Sequence, residues 1–238
     1  MENNNLFTHR LIKFTSNKIF AFSGIILVGL IIRMYYFPYD IPLTLDGLFY
    51  FKYAIDTSIL GHLPEYHLTN NGWPVFLSVF FSGTNSENFL DYMTIQRLVS
   101  ITASLLTAIP LYFLCRKFFE HKFAIIGSAL FIFEPRIIQN SISGITEPLF
   151  ILLTTSSLAL FLTNNKKMIY VSFAIAALAT IVRWEGITLF LAISILYLIK
   201  FRRDHKKILE YGILIGIYIL VLTPMALPRM EVSGNEPI

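Results

Sequence analysis

A chain of 238 residues that is 55% hydrophobic and only 14% charged, with a mean hydropathy of +0.63, is not an ordinary soluble domain, where about a quarter of residues carry charge. The net charge of +4 does not signal nucleic acid, because Lys and Arg sit in short clusters between apolar runs, where they set membrane topology. The single Cys115 excludes an internal disulfide, and no Cys/His pattern of zinc type occurs.

The N-terminal stretch MENNNLFTHRLIKFTSNK is polar and basic and leads into an apolar run at 19–32. No small-residue cleavage site follows, so this run reads as an uncleaved first span with Arg33 snorkelling near its end. Residues 39–97 form the first long interruption. Within it AIDTSIL and WPVFLSVFF, separated by Gly61, Asn70-Asn71-Gly72 and Gly83, predict interfacial helices lying along the membrane. SENFLDYM, with Ser86 as cap, leads into a second span over 98–115. The run at 123–133 is long enough only if it continues through Glu134-Pro135-Arg136 to about Gln139. Pro135 and Pro148 mark the intervening IIQNSISGIT as a tight loop.

Further apolar runs occupy 148–165, 168–182, 186–199 and 211–228. The pair 168–182 and 186–199 decides the topology. Each is about 15 residues, or about 22 Å of helix, short of the hydrocarbon thickness. Read as a hairpin with Arg183-Trp184-Glu185-Gly186 at its tip, the chain places four basic clusters on one side, with 13 of its 19 Lys and Arg. Read as one helix, it exports the richest cluster, against the positive-inside rule. The hairpin gives an all-α membrane protein of about seven spans, with the N-terminus in the cytoplasm.

Polar residues on the outer side are the candidates for chemistry. Asp46 follows the first span and is either a general base for an acceptor group or an N-cap for a helix starting at Gly47, a role Thr44 can also fill. Arg183 and Glu185 sit at membrane depth on the hairpin tip, where ionisable groups line sites, although the two can simply pair. Glu134, Arg136 and Glu147 bracket the outer loop. Arg97, Arg136 and Arg183 can form a cradle for a phosphate, against single roles as helix-end residues. His62 and His67, with Glu65 between them, are either ligands for a divalent metal or solvated loop residues.

The order of these features resembles the GT-C superfamily of membrane glycosyltransferases, which includes dolichyl-phosphate-mannose-dependent protein mannosyltransferases and bacterial aminoarabinose transferases. The matching pieces are LDGLFYFKYA, NGWPVFLS, QRLVSITASLLTAIPLYFLCRKFF, EPRIIQNSISGITEPLF and ALATIVRWEGITLF. The resemblance implies that Asp46 is the catalytic base or acceptor-orienting carboxylate. It also implies that Arg97 and Arg183, and with them Arg136, hold the phosphate of a polyprenyl-phosphate sugar donor. Glu147, Glu185 and His67 complete the substrate-binding set, no cofactor is required for certain, and a divalent metal has room to take part. Gly47 stands where relatives often carry a second acidic residue, and a His-Pro-Pro-like segment is absent.

The function expected is therefore sugar transfer to a protein, glycan or lipid acceptor on the extracytoplasmic face of the cytoplasmic membrane, or of the endoplasmic reticulum in a eukaryote. Residues 1–238 are read as a single transmembrane module lacking the family's variable C-terminal half, as expected either of a fragment or truncated reading frame or of one half of a split enzyme whose second chain supplies the remaining spans. The rival readings are a non-catalytic subunit of a split enzyme and a transporter of lipid-linked substrates. Clustering of charge at one level, without paired inverted halves, disfavours the transporter.

Overall fold

The computed structural model describes residues 20–66, 68, 70–163 and 165–232, and the regular elements among these are all helices. Helix α1 (Phe20–Tyr35) is followed by α2 (Asp46–Leu60), which ends at Gly61 in the left-handed region, φ 70°, with the Gly61 N–H on the Thr57 carbonyl. Only a residue without Cβ closes a helix this way without strain. Helix α3 (Gly72–Ser82) carries Pro74 in its first turn, where no helical acceptor is lost. Both α2 and α3 fall within the stretch expected to hold interfacial helices.

Helix α4 (Phe89–Leu106) begins earlier than the apolar run at 98 suggests. Its cap is Asn88, whose side chain accepts the Leu90 N–H at 3.0 Å. The expected cap, Ser86, instead donates to Asp91 at 2.5 Å and accepts the Asn88 N–H at 3.1 Å, so it supports the cap from two residues upstream. Helix α5 (Ala108–Cys115) continues α4 through Thr107, which keeps helical torsions. Pro110 has no N–H for the Leu106 carbonyl, which explains the local break. Together Phe89–Cys115 runs for 27 residues, long and apolar enough to cross a bilayer unaided.

Helix α6 (His121–Phe133) does not continue to Gln139. Glu134 turns extended at ψ 122°, the backbone region a residue before proline is pushed into. Its carboxylate then accepts the Ile137 N–H at 2.7 Å and opens a new short helix, α7 (Pro135–Ile142). The expected tight loop is therefore one short helix and a turn at 143–146.

Helices α8 (Glu147–Phe161), α9 (Lys166–Val182), α10 (Gly186–Phe201) and α11 (His205–Val232) complete the bundle. The hairpin of α9 and α10 stands as expected. At 17 and 16 residues the two are about 25 Å long, and they meet so closely that a Cβ on Gly186 would lie 2.5 Å from the Thr180 nitrogen. Lys166 and Lys207 both bind Glu210, at 2.8 and 3.0 Å. The basic clusters flanking α9 and α10 thus share the end of the bundle opposite the tip.

Helix α9 is central, packing on α8, α10, α11 and α3. Around it, Phe173, Ile193, Leu214 and Tyr218 form one core. A second joins α2, α3 and α4 through Phe51, Trp73, Leu77 and Met93. A third packs Ile25 and Met34 of α1 against Ile101, Leu105, Ala108 and Ile132 of α4, α5 and α6. Long flanks such as Leu209 and Leu220 on α11 stay outside, at 78% and 70% exposure, as suits helices solvated by lipid.

Arg33 departs from expectation. It does not snorkel to the surface; it is fully buried. Its Nε donates to Ser141 Oγ at 3.0 Å, Nη1 to the carbonyls of Gly29 and Ile132 at 3.0 and 3.2 Å, and Nη2 to Ser104 Oγ at 3.1 Å. A planar group with five donors can reach four acceptors on α1, α4, α6 and α7 at once, and so serves as an internal tie.

Candidate active site at the hairpin tip

The turn at 143–146 organises the site. Gly144 sits at φ +69°, and its carbonyl accepts Trp73 Nε1 at 3.1 Å and Gln96 Nε2 at 2.7 Å. The same Gln96 nitrogen reaches the Gly47 carbonyl at 3.0 Å. The start of α2 is thereby pinned to the turn: a Cβ on Gly47 would stand 2.8 Å from the Ser143 carbonyl oxygen. That contact explains why a second acidic residue cannot occupy position 47 without moving the turn.

Asp46 opens α2 with its side chain exposed. It is not the N-cap, because that position is Leu45, which provides no side-chain bond. Leu45 is held at φ 47°, ψ −126°, a conformation that costs a non-glycine residue about 1–3 kcal/mol. The strain falls immediately before the carboxylate of Asp46.

Arg183 caps α9 in an extended conformation. Its Nη1 donates to Glu147 at 2.6 Å and to Thr146 Oγ1 at 3.0 Å, while Nη2 donates to Glu185 at 2.8 Å. The hydrogen bond to Glu185 leads the causes that raise the Arg183 pKa, and the same bond holds the Glu185 carboxyl below its usual range. The other Glu185 oxygen, Oε2, is buried with no hydrogen-bond partner among the described residues. The tip is joined to the first loop by Asn70, whose Oδ1 accepts the Trp184 N–H at 3.2 Å.

Tyr50, one helical turn beyond Asp46, reports how these groups sit together. Burial pushes its phenol up; Asp46 and Glu147 add to the rise, and Thr146 and Arg183 oppose it. The structure joins three sequence-predicted residues directly, with Glu147 and Glu185 both on the Arg183 guanidinium, and it ties Gly47, the residue after Asp46, to the same turn.

The remaining predicted residues lie elsewhere. Arg97 is 4% exposed, with Nε on the Ile142 carbonyl and Nη1 on the Pro38 carbonyl, each at 3.2 Å. It braces the turn from beneath instead of facing outward. Arg136 is exposed on α7. His67 lies outside the described residues. His62 Nδ1 is 3.0 Å from the Leu63 carbonyl, and no group of three or more His, Cys, Asp or Glu among the described residues is arranged to hold a metal ion. Sequence reasoning missed Gln96, Trp73, Tyr50 and Thr146. Gln96 had left a signal, since a primary amide inside an apolar helix needs partners.

An all-helical bundle with lipid-solvated flanks, carrying carboxylates and a guanidinium together at one end, defines a membrane protein with an interfacial polar site. A family model described as dolichyl-phosphate-mannose-protein mannosyltransferase matches residues 89–227, from the first residue of α4 into α11. The chain belongs to this family, and is a membrane glycosyltransferase of the GT-C type. Comparison with curated proteins and with solved structures gave no match.

Proposed function

We propose that the chain moves a sugar from a polyprenyl-phosphate donor to a protein, glycan or lipid acceptor on the extracytoplasmic face. Asp46 takes the proton of the acceptor hydroxyl as its oxygen attacks the anomeric carbon. The bond from that carbon to the donor's phosphate oxygen breaks, and Arg183 meets the charge that develops on the leaving phosphate. Glu147 and Glu185 hold the guanidinium in place, with Nε and one Nη2 N–H unused among the described residues and able to face a phosphate oxygen. Arg97 and Arg136 belong to the same end of the protein, the first as a brace and the second as an exposed attraction for the anionic donor. An about-seven-span single module with its basic clusters in the cytoplasm fits the positive-inside rule.

The observation that carries this reading is the Arg183 guanidinium bound to Thr146, Glu147 and Glu185, at the turn to which Gln96 ties the residue after Asp46. The test is sugar transfer by membranes bearing Asp46→Asn. Loss of a general base lowers transfer by on the order of 10²–10⁴ while the protein accumulates normally. Transfer at the wild-type rate removes Asp46 from the mechanism.

A further inference from the structure

A cavity of about 420 Å³ lies between the C-terminal half of α2, the end of α3 and the start of α4, at the opposite end of α2 from Asp46. Its polar lining is made of hydroxyls: Ser58, Ser82, Thr84, Ser86 and Tyr92. Each of these has already given its proton away. Ser58 donates to the Ile55 carbonyl at 2.7 Å, Ser82 to the Ser78 carbonyl at 2.8 Å and Thr84 to the Phe80 carbonyl at 3.0 Å. Ser86 donates to Asp91 at 2.5 Å and Tyr92 to the Thr84 carbonyl at 3.0 Å.

A hydroxyl has one donor and two acceptor positions. All five donors are turned into the protein, and Ser86 and Tyr92 also accept the N–H groups of Asn88 and Ser86, so the lone pairs offered to the cavity come chiefly from Ser58, Ser82 and Thr84. The one ionisable lining residue besides Tyr92 is Glu87, an exposed carboxylate that can only accept. The rest of the lining is apolar or aromatic, including Phe81 and Phe89, whose ring faces are electron-rich. A ligand that is anionic, or that needs hydrogen bonds donated to it, finds no side-chain partner here. A ligand that carries positive charge and N–H donors finds several.

We propose that this cavity takes the primary ammonium group of an ethanolamine phospholipid, with the lipid's phosphate left outside the acceptor-lined space. The lipid source is favoured by the lining itself: Ile59 is 76% and Phe89 63% exposed, so apolar surface continues from the cavity to the outside of the protein, where acyl chains run.

The test is retention of lipid by the full chain under native mass spectrometry, with phosphatidylethanolamine and phosphatidylglycerol of identical acyl chains. The two differ in the ammonium and share the phosphate. Wild-type protein retains the ethanolamine lipid about tenfold better, the scale of one charge-assisted hydrogen bond, and Glu87→Gln brings the two lipids to parity. Equal retention by wild type, or an unchanged preference in Glu87→Gln, overturns the proposal. Displacement of the lipid by soluble ethanolamine would move the site to a free amine and overturn the lipid as its occupant; no displacement supports it. Because the readout is binding, it stands or falls separately from sugar transfer.

Discussion

Gln96 donates its side-chain amide to the carbonyl oxygen of Gly144 at 2.7 Å, and in doing so it ties the start of α2, where Asp46 stands, to the turn at 143–146. The same nitrogen holds the Gly47 carbonyl, so one side chain fixes both the turn and the residue after Asp46.

Gln96→Ala therefore leaves the Gly47 carbonyl without its side-chain donor, while the Gly144 carbonyl keeps its bond from Trp73 Nε1, and it opens a void beneath α2. Losing the two Gln96 hydrogen bonds costs about 1–3 kcal/mol in all. The expected outcome is a lower thermal midpoint in detergent and a drop in transfer larger than the loss of folded protein explains. Fluorescence-detected size exclusion after heating, run beside the transfer assay, separates the two effects.

The Arg183–Glu185 contact predicts a pH dependence with a definite sign. The bond from Arg183 holds the Glu185 carboxyl below its ordinary value of 4.5. Its contribution to stability is full above 4.5 and is lost as the pH falls through the depressed folded value. Thermal midpoints measured from about pH 6 to about pH 3 fall for the wild type. Glu185→Gln has a shallower fall, since the titrating group is gone. Arg183→Lys does not restore wild-type transfer, because one ammonium cannot serve Thr146, Glu147 and Glu185 in the planar fork that a guanidinium provides.

Ser157 on α8 and Ser172 on α9 each donate to the other's carbonyl at 2.9 Å. These carbonyls lie within helices, so losing a hydroxyl strands no essential backbone group. A double-mutant cycle with Ser157→Ala and Ser172→Ala should give a coupling of about 0.6 kcal/mol, the membrane-protein average. A value several times larger would mean that the pair is essential to how α8 meets α9.

Arg33→Lys tests the internal tie. Lysine brings one nitrogen to a place where three nitrogens now serve Ser141, Gly29, Ile132 and Ser104. An ammonium has three N–H donors for these four acceptors, so at least one loses its donor, a loss of about 1–3 kcal/mol. The measurable result is a strongly reduced yield of monodisperse protein, with no compensation from raising the pH.

Much of the fold was legible because its signals are local. The hairpin at 183–186 followed from run length and charge balance, and the structure reproduces it as α9 and α10. The helix break at Glu134 was legible only in part. Pro135 announced it, but apolar length argued for continuation, and the backbone restriction before proline prevailed. Arg33 was misplaced because its burial depends on acceptors from Gly29, Ser104, Ile132 and Ser141, the last 108 residues away, and no local pattern reveals them. The candidate site divides the same way. Charged residues beside spans drew attention to Asp46, Arg183, Glu147 and Glu185, whereas Gln96 and Trp73 gain their roles only from a turn formed by distant chain.

The enclosure of Arg33 also constrains how the protein is made. When α1 leaves the ribosome, three of the four acceptors, on α4, α6 and α7, have yet to be synthesised. At that stage the guanidinium can be solvated only near the head-groups, and it can sink inward only after residue 141 has emerged. Helix α1 is thus made before the partners that hold Arg33, and its guanidinium is fully satisfied only once α4, α6 and α7 are in place.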